Sequence, residues 1–234
     1  MNSTGPIAVF GAGGATGTHL LRFAHAREQV IRAFEHNLPP EDERLEGIEY
    51  IQCDVLQDEI TEQLRGCRAV VSTLGVAFGP SAAVDPPPLY TQGTQNILNA
   101  MKDADVDRIA VMSAAFVAEQ PSVPAWFKMT VRPALAKILE QMREMEAMLE
   151  REAGIKWTAV RPGWLLDLPF SGEALVANEE LPEGCFRCRH ADAANLLLRS
   201  ILDEDWVGAK PAIGKPEAGE HESLLAIKSE LGIE

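Results

Sequence analysis

Several things are scarce in this chain. No apolar run reaches the roughly 18 residues that a membrane-crossing helix needs, so no transmembrane segment is expected. Positive charge is in short supply: 21 Lys and Arg face 35 Asp and Glu, a formal net charge of −14. Such a surface repels polyphosphate backbones and anionic headgroups, which argues against nucleic acid or a membrane as partner. The first ten residues, MNSTGPIAVF, carry no basic stretch and no long apolar core, so no signal peptide is expected and the cytoplasm is the expected location. Cysteine is limited to Cys53, Cys67, Cys185 and Cys188, which suits reduced thiols better than a disulfide framework. Cys185 and Cys188 have the spacing of a metal-ligand pair but no second pair follows, so no metal site is expected. Internal repeats, low-complexity tracts and a clear linker are also missing. With 234 residues, 46% of them hydrophobic, one domain over the whole chain is expected.

What is present centres on the stretch VFGAGGATG, residues 9–17. It follows a short apolar run and opens an apolar-periodic segment, which reads as strand, glycine-rich turn, helix. Gly11, Gly14 and Gly17 divide the labour expected of a dinucleotide-binding turn: a sharp exit from the strand, backbone contact with a pyrophosphate, and close packing of the helix on the sheet. Gly13, Ala15 and Thr16 complete the turn and the free N–H groups of the helix start. The spacing is GxxGxxG rather than GxGxxG, so a glycine-rich turn of some other α/β protein is the alternative.

The remaining chain is read in order. A helix is expected over 16–27 and a strand over 30–34. Glu35 closes that strand roughly twenty residues past the turn, where an acid accepts from a ribose 2′-hydroxyl or simply faces solvent. A third strand over 48–53 leaves Asp54 and Val55 at its carboxyl end, and Asp54 either accepts from an adenine amino group or caps a helix over 59–64. The compact run over 69–74 is a buried parallel strand, with Thr73, Leu74 and Gly75 along the cofactor. Residues 76–89 include three consecutive prolines and form neither helix nor central strand; such a loop is a lid or a plain insertion. A helix over 90–102 and a strand over 108–112 follow. Ser113 then sits by the nicotinamide position, its hydroxyl free to bond a substrate carbonyl. Phe116, Trp126 and Phe127 lie in a proline-bearing loop and either wall an apolar pocket or cover the core. A long helix over 133–152 carries an apolar stripe in which the methionines are core filling. The strand over 157–160 closes with Arg161, Pro162 and Gly163, and Trp164 opens the substrate side of the cleft, which runs to about residue 190. A helix over 191–202 preceded by a structural His190, a strand over 210–213 and a terminal helix over 222–231 end the chain.

VFGAGGATG, Cys53-Asp54-Val55, Met112-Ser113 and WTAVRPG at 157–163 together resemble the atypical short-chain dehydrogenase/reductases, in particular the NAD(P)H-binding subgroup with biliverdin reductase B-like and NmrA-like members. The resemblance covers about residues 7–202. It implies an α/β fold of the Rossmann type, a doubly wound parallel sheet with a small carboxyl-terminal substrate region, and NAD(P)H held by the glycine turn, Glu35, Asp54-Val55, residues 73–75 and Pro162-Gly163. Two departures matter. Many family members carry a Tyr-x-x-x-Lys pair that passes a proton to the substrate, and those positions fall here on Ile138 and Met142, which cannot. Glu35 stands where NADPH-preferring relatives often have arginine, which tilts the cofactor slightly towards NAD(H), although Arg32 and Arg44 lie near it in sequence. An oxidoreductase acting on a small-molecule substrate without the pair is the first expectation. A non-catalytic NAD(P)-sensing regulator that binds a protein partner is the second.

Overall fold

The computed structural model describes residues 5–76, 84–121, 123–223 and 227. In chain order the elements are β1 (Ile7–Phe10), α1 (Ala15–Ala26), β2 (Ile31–Glu35), β3 (Glu49–Gln52), α2 (Thr61–Leu64), β4 (Ala69–Ser72), a π-helical turn (Leu89–Gly93), α3 (Thr94–Asp103), β5 (Arg108–Met112), α4 (Ala125–Ala134), α5 (Ala136–Arg151), β6 (Lys156–Pro162), β7 (Trp164–Leu166), β8 (Leu175–Asn178), β9 (Arg187–Arg189), α6 (His190–Leu202) and β10 (Pro211–Gly214).

Every residue of β1 and β4 is buried, because helices cover both faces of these strands. That explains why IAVF and AVVS read as continuous apolar runs rather than alternating ones. The sheet order is β3-β2-β1-β4-β5-β6-β10-β8. β3 through β10 run parallel and only β8 is reversed, against β10. β7 and β9 form a separate parallel pair. From β1 the chain steps outward to β2 and β3, then returns to place β4 on the other side of β1. The direction of winding therefore reverses between β1 and β4, and a crevice opens there at the carboxyl ends of the strands. This is a Rossmann-like α/β fold with a mostly parallel sheet.

α1 and α6 cover one face, with Leu20, Leu21 and Ala24 sharing a core with Ala193, Ala194 and Leu197. α3 and α5 cover the other through Ile97, Leu98, Met101, Met145 and Leu149. The helix expected over 133–152 is two helices. Pro133 lies in the last turn of α4, and Leu135, at φ −93° and ψ 0°, interrupts the run before α5 begins. Pro133 lacks the N–H of a continuing ladder, and the Leu135 N–H is shared between the Val131 and Arg132 carbonyls at 3.2 Å each. A second correction follows: Trp126 and Phe127 lie on α4, not in a loop. The terminal helix expected over 222–231 and the part of the expected lid over 77–83 lie outside the described residues.

The packing of α6 on α1 carries a prediction. Leu197 is wholly buried between α6 and the sheet. Leu197→Ala should lower the unfolding free energy by about 2–5 kcal/mol with an unchanged denaturant slope, measured by urea titration. A loss under about 1 kcal/mol would contradict this packing.

Candidate active site

The glycine turn sits at the mouth of the crevice. Gly11 has φ +75°, and a Cβ there would fall 2.9 Å from the Thr73 and Leu74 backbone. A Cβ at Gly17 would lie 2.2 Å from the Gly11 carbonyl oxygen and 2.7 Å from Ala12. Gly17 is therefore required by the turn folding back on itself, not by the sheet as expected from sequence. Gly14 differs: a Cβ would meet only the Gly11 oxygen, at 3.4 Å, so the space above it is open. The first helical bond of α1 runs from the Thr18 N–H to the Gly14 carbonyl at 2.8 Å. The N–H groups of Ala15, Thr16 and Gly17 precede it and have no acceptor within the helix. Backbone donors, a helix dipole and room above Gly14 together fit a pyrophosphate.

Glu35 reaches back from the end of β2, and its carboxylate accepts a short hydrogen bond from the Gly13 N–H. Burial raises its pKa, opposed by that N–H and by His36. Arg32 does not reach this point: it is tied to Glu49 at 2.8 Å and to the Gln63 and Arg65 carbonyls. Arg44 bonds the Pro39 carbonyl and lies over the Tyr50 ring. Asp54 caps no helix. Its Oδ1 accepts from the Leu56 N–H at 2.9 Å and so shapes the turn after β3. Thr73 donates to the Phe10 and Gly11 carbonyls at 3.0 and 2.8 Å, which ties the end of β4 to the glycine turn. The Thr16 hydroxyl lies 2.8 Å from His190 Nδ1, so it joins the first turn of α1 to the start of α6.

At the far end, Ser113 is 2% exposed and donates to Glu146 Oε1 at 2.7 Å. Glu146 is in turn held by two bonds from Arg161, at 2.9 and 2.6 Å, and lies 3.6 Å from Lys210. The hydroxyl hydrogen is thus committed to a buried carboxylate. This corrects the expectation that Ser113 donates to a substrate; towards a ligand it offers only a lone pair.

Ile138, Met142 and Glu146 recur every four residues and so share one face of α5. Leu135, Ile138, Leu139 and Met142 line the cavity. The sequence places all four in a core stripe; they are buried in that core and also border the cavity, whereas Met145 and Leu149 do not border it. Phe116 and Trp164 also line the cavity, whereas Trp126 and Phe127 do not. Phe127 is fully buried behind them, with ring centroids 4.6 Å from Phe116 and 5.4 Å from Trp164. It supports the wall rather than forming it.

These parts enclose one cavity of about 1070 Å³. Gly11, Gly14, Ala15, Thr16, Glu35, Asp54, Val55, Thr73, Leu74, Gly75, Ser113, Pro162 and Gly163 all border it; Gly13 and Gly17 act behind its surface. His36, Leu166, Asp167, His190 and Tyr90 border it too. Of these, Leu166, Asp167 and His190 fall in the stretch expected on the substrate side of the cleft, whereas His36 and Tyr90 carry no such signal. One half of the cavity is backbone N–H and acid, the other aliphatic and aromatic.

The family described as NAD(P)H-binding matches residues 11–204. The chain belongs to the NAD(P)H-binding family. The match spans the glycine turn through α6, in keeping with the resemblance to atypical short-chain dehydrogenase/reductases. Solved structures agree on the fold. The oxidoreductase ylbE of Lactococcus lactis has TM-score 0.73 at 18% identity, covering 97% of each chain. A protein from Streptococcus pneumoniae, proposed to be an NADH-flavin reductase, has TM-score 0.71 at 18% identity, covering 90% of this chain and 99% of that one. A wide-type short-chain dehydrogenase/reductase of Veillonella parvula, solved with NADP, has TM-score 0.71 at 15% identity, covering 91% and 95%.

The openness above Gly14 gives this family member a clean test. Gly14→Val should leave the melting temperature within a few degrees, since its Cβ meets nothing closer than 3.4 Å. NAD(P)H binding by calorimetry should be lost, because the side chain fills the phosphate space. Wild-type affinity in the folded variant would move the pyrophosphate elsewhere.

Proposed function

We propose that the protein is an NAD(P)H-dependent oxidoreductase that reduces a small apolar or aromatic acceptor without a Tyr–Lys pair. The observation that carries this reading is the apolar half of the cavity, where Ile138 and Met142 stand together with Leu74, Phe116 and Trp164, continuous with the glycine turn. Bound NAD(P)H would supply a hydride, which with one proton makes a two-electron reduction of the acceptor. The chain's own part is placement. Aliphatic side chains from α5 exclude water from one face of the acceptor, and the aromatic wall backed by Phe127 fixes its plane. Neither Ile138 nor Met142 can deliver the proton, so it comes from solvent or from a group outside α5. The absence of a proton donor at Ile138 and Met142 also supports the second reading, a non-catalytic NAD(P) sensor. Four buried cysteines, none in a disulfide, support the cytoplasm as the location.

NADH and NADPH consumption measured against quinones, flavins and enones separates the two. Turnover with at least one acceptor class is expected; tight cofactor binding with no turnover across the panel would favour the sensor. The position of Glu35 supports a slight preference for NAD(H). Glu35→Arg should move the affinity ratio about ten- to a hundred-fold towards NADP(H), as expected for one poorly compensated charge contact. A wild type that already prefers NADPH would refute that preference.

A further inference from the structure

Tyr90 borders the cavity, and among the described residues no protein group takes its phenol hydrogen. We propose that Tyr90 is the hydrogen-bond donor that orients the acceptor, and that the acceptor is a cyclic conjugated carbonyl compound, a ketone, enone or quinone. This rests on the reductase reading.

Tyr90 is 5% exposed, yet it borders the cavity. It belongs to the π-helical turn Leu89–Gly93 that leads into α3. Such turns are rare and often occur at functional sites. The turn packs against α5, the helix that bears Ile138 and Met142. The phenol oxygen accepts from the Val76 N–H at 3.4 Å, and a Cβ on Gly75 would lie 3.8 Å from it. A phenol has one hydrogen to give, and among the described residues no acceptor takes it. β4 and β5 pair with Ser72 opposite Val111. Continuing that register sets Leu74 opposite Ser113, so the phenol, over Gly75 and Val76, stands at the same strand ends as Ser113.

Two hydroxyls at these strand ends are committed. Ser113 gives its hydrogen to Glu146, and Thr73 gives its own to the glycine turn. Burial also raises the Tyr90 pKa, which keeps the phenol protonated at neutral pH. A neutral donor aimed at a carbonyl oxygen stabilises the negative charge that gathers there during hydride addition. The phenol does not ionise in this role.

The test compares two ligands of one shape, 1-tetralone and its carbonyl-free analogue tetralin. Each is titrated into wild type and Tyr90→Phe by calorimetry, with saturating NAD⁺ and separately NADP⁺. Wild type should favour the ketone. Tyr90→Phe should lower ketone affinity about five- to ten-fold, leave tetralin unchanged and keep the melting temperature. Equal loss for both ligands, loss for neither, or a wild type that holds the two equally would overturn the assignment. Ketone selectivity that depends on Tyr90, with no turnover across the acceptor panel, would sink the reductase reading and leave Tyr90 as a ligand donor. Turnover with an unselective site would do the reverse.

Discussion

The Arg161–Glu146 ion pair is the constraint on which the apolar half of the site depends. Both side chains are almost wholly buried, at 7% and 4% exposure. Two charges withdrawn from water cost several kcal/mol each, offset only where geometry is good and the remaining lone pairs are filled. Here the guanidinium meets the carboxylate with two bonds, and the Ser113 hydroxyl adds a third. The pair joins the ends of β5 and β6 to the middle of α5. Because Glu146 cannot leave this position cheaply, the rotational phase of α5 is fixed. Met142 and Ile138, one and two steps of four residues earlier, are then turned towards the cavity whatever their own preference.

The same pair decides what kind of hydrogen bonding is available beside it. A serine at the end of a parallel strand would ordinarily donate or accept. Held by Glu146, Ser113 only accepts. Donation at that end falls to a group carried by a different segment, the turn ahead of α3. The site thus divides one polar task between two elements that approach the cavity from β4 and β5.

Much of the fold was legible in the sequence because its elements are governed by local signals. β5 is legible at residues 108–112, where it is observed, since RIAVM is a compact apolar run bounded by polar turns. The glycine turn, the acid at the end of β2 and the Arg161-Pro162-Gly163 strand end were all legible as motifs. The misreadings arose where the outcome depended on tertiary partners. Trp126 and Phe127 follow two prolines, a loop signal, but α4 forms because Phe127 has an aromatic cluster to fill. The stripe on α5 has one period along its whole length. Nothing in that period marks where the core stops and the cavity begins. The Ser113 bond to Glu146 spans 33 residues, beyond any local pattern. Tyr90 carried no motif at all, and its importance comes from the groups around it having other partners.

The bond between Glu35 and the Gly13 N–H has a consequence for discrimination at the other end of the cavity. A carboxylate that already holds a backbone donor does not wait empty for a ligand. Any hydroxyl that arrives there joins or displaces a bond the protein makes with itself, so recognition at this point is an exchange. Exchanges of nearly equal bonds add little affinity, but they still penalise a partner that brings negative charge and no hydrogen. On the proposed preference for NAD(H), Glu35 would reject more strongly than it attracts, and its carboxylate also braces the glycine turn through the Gly13 N–H.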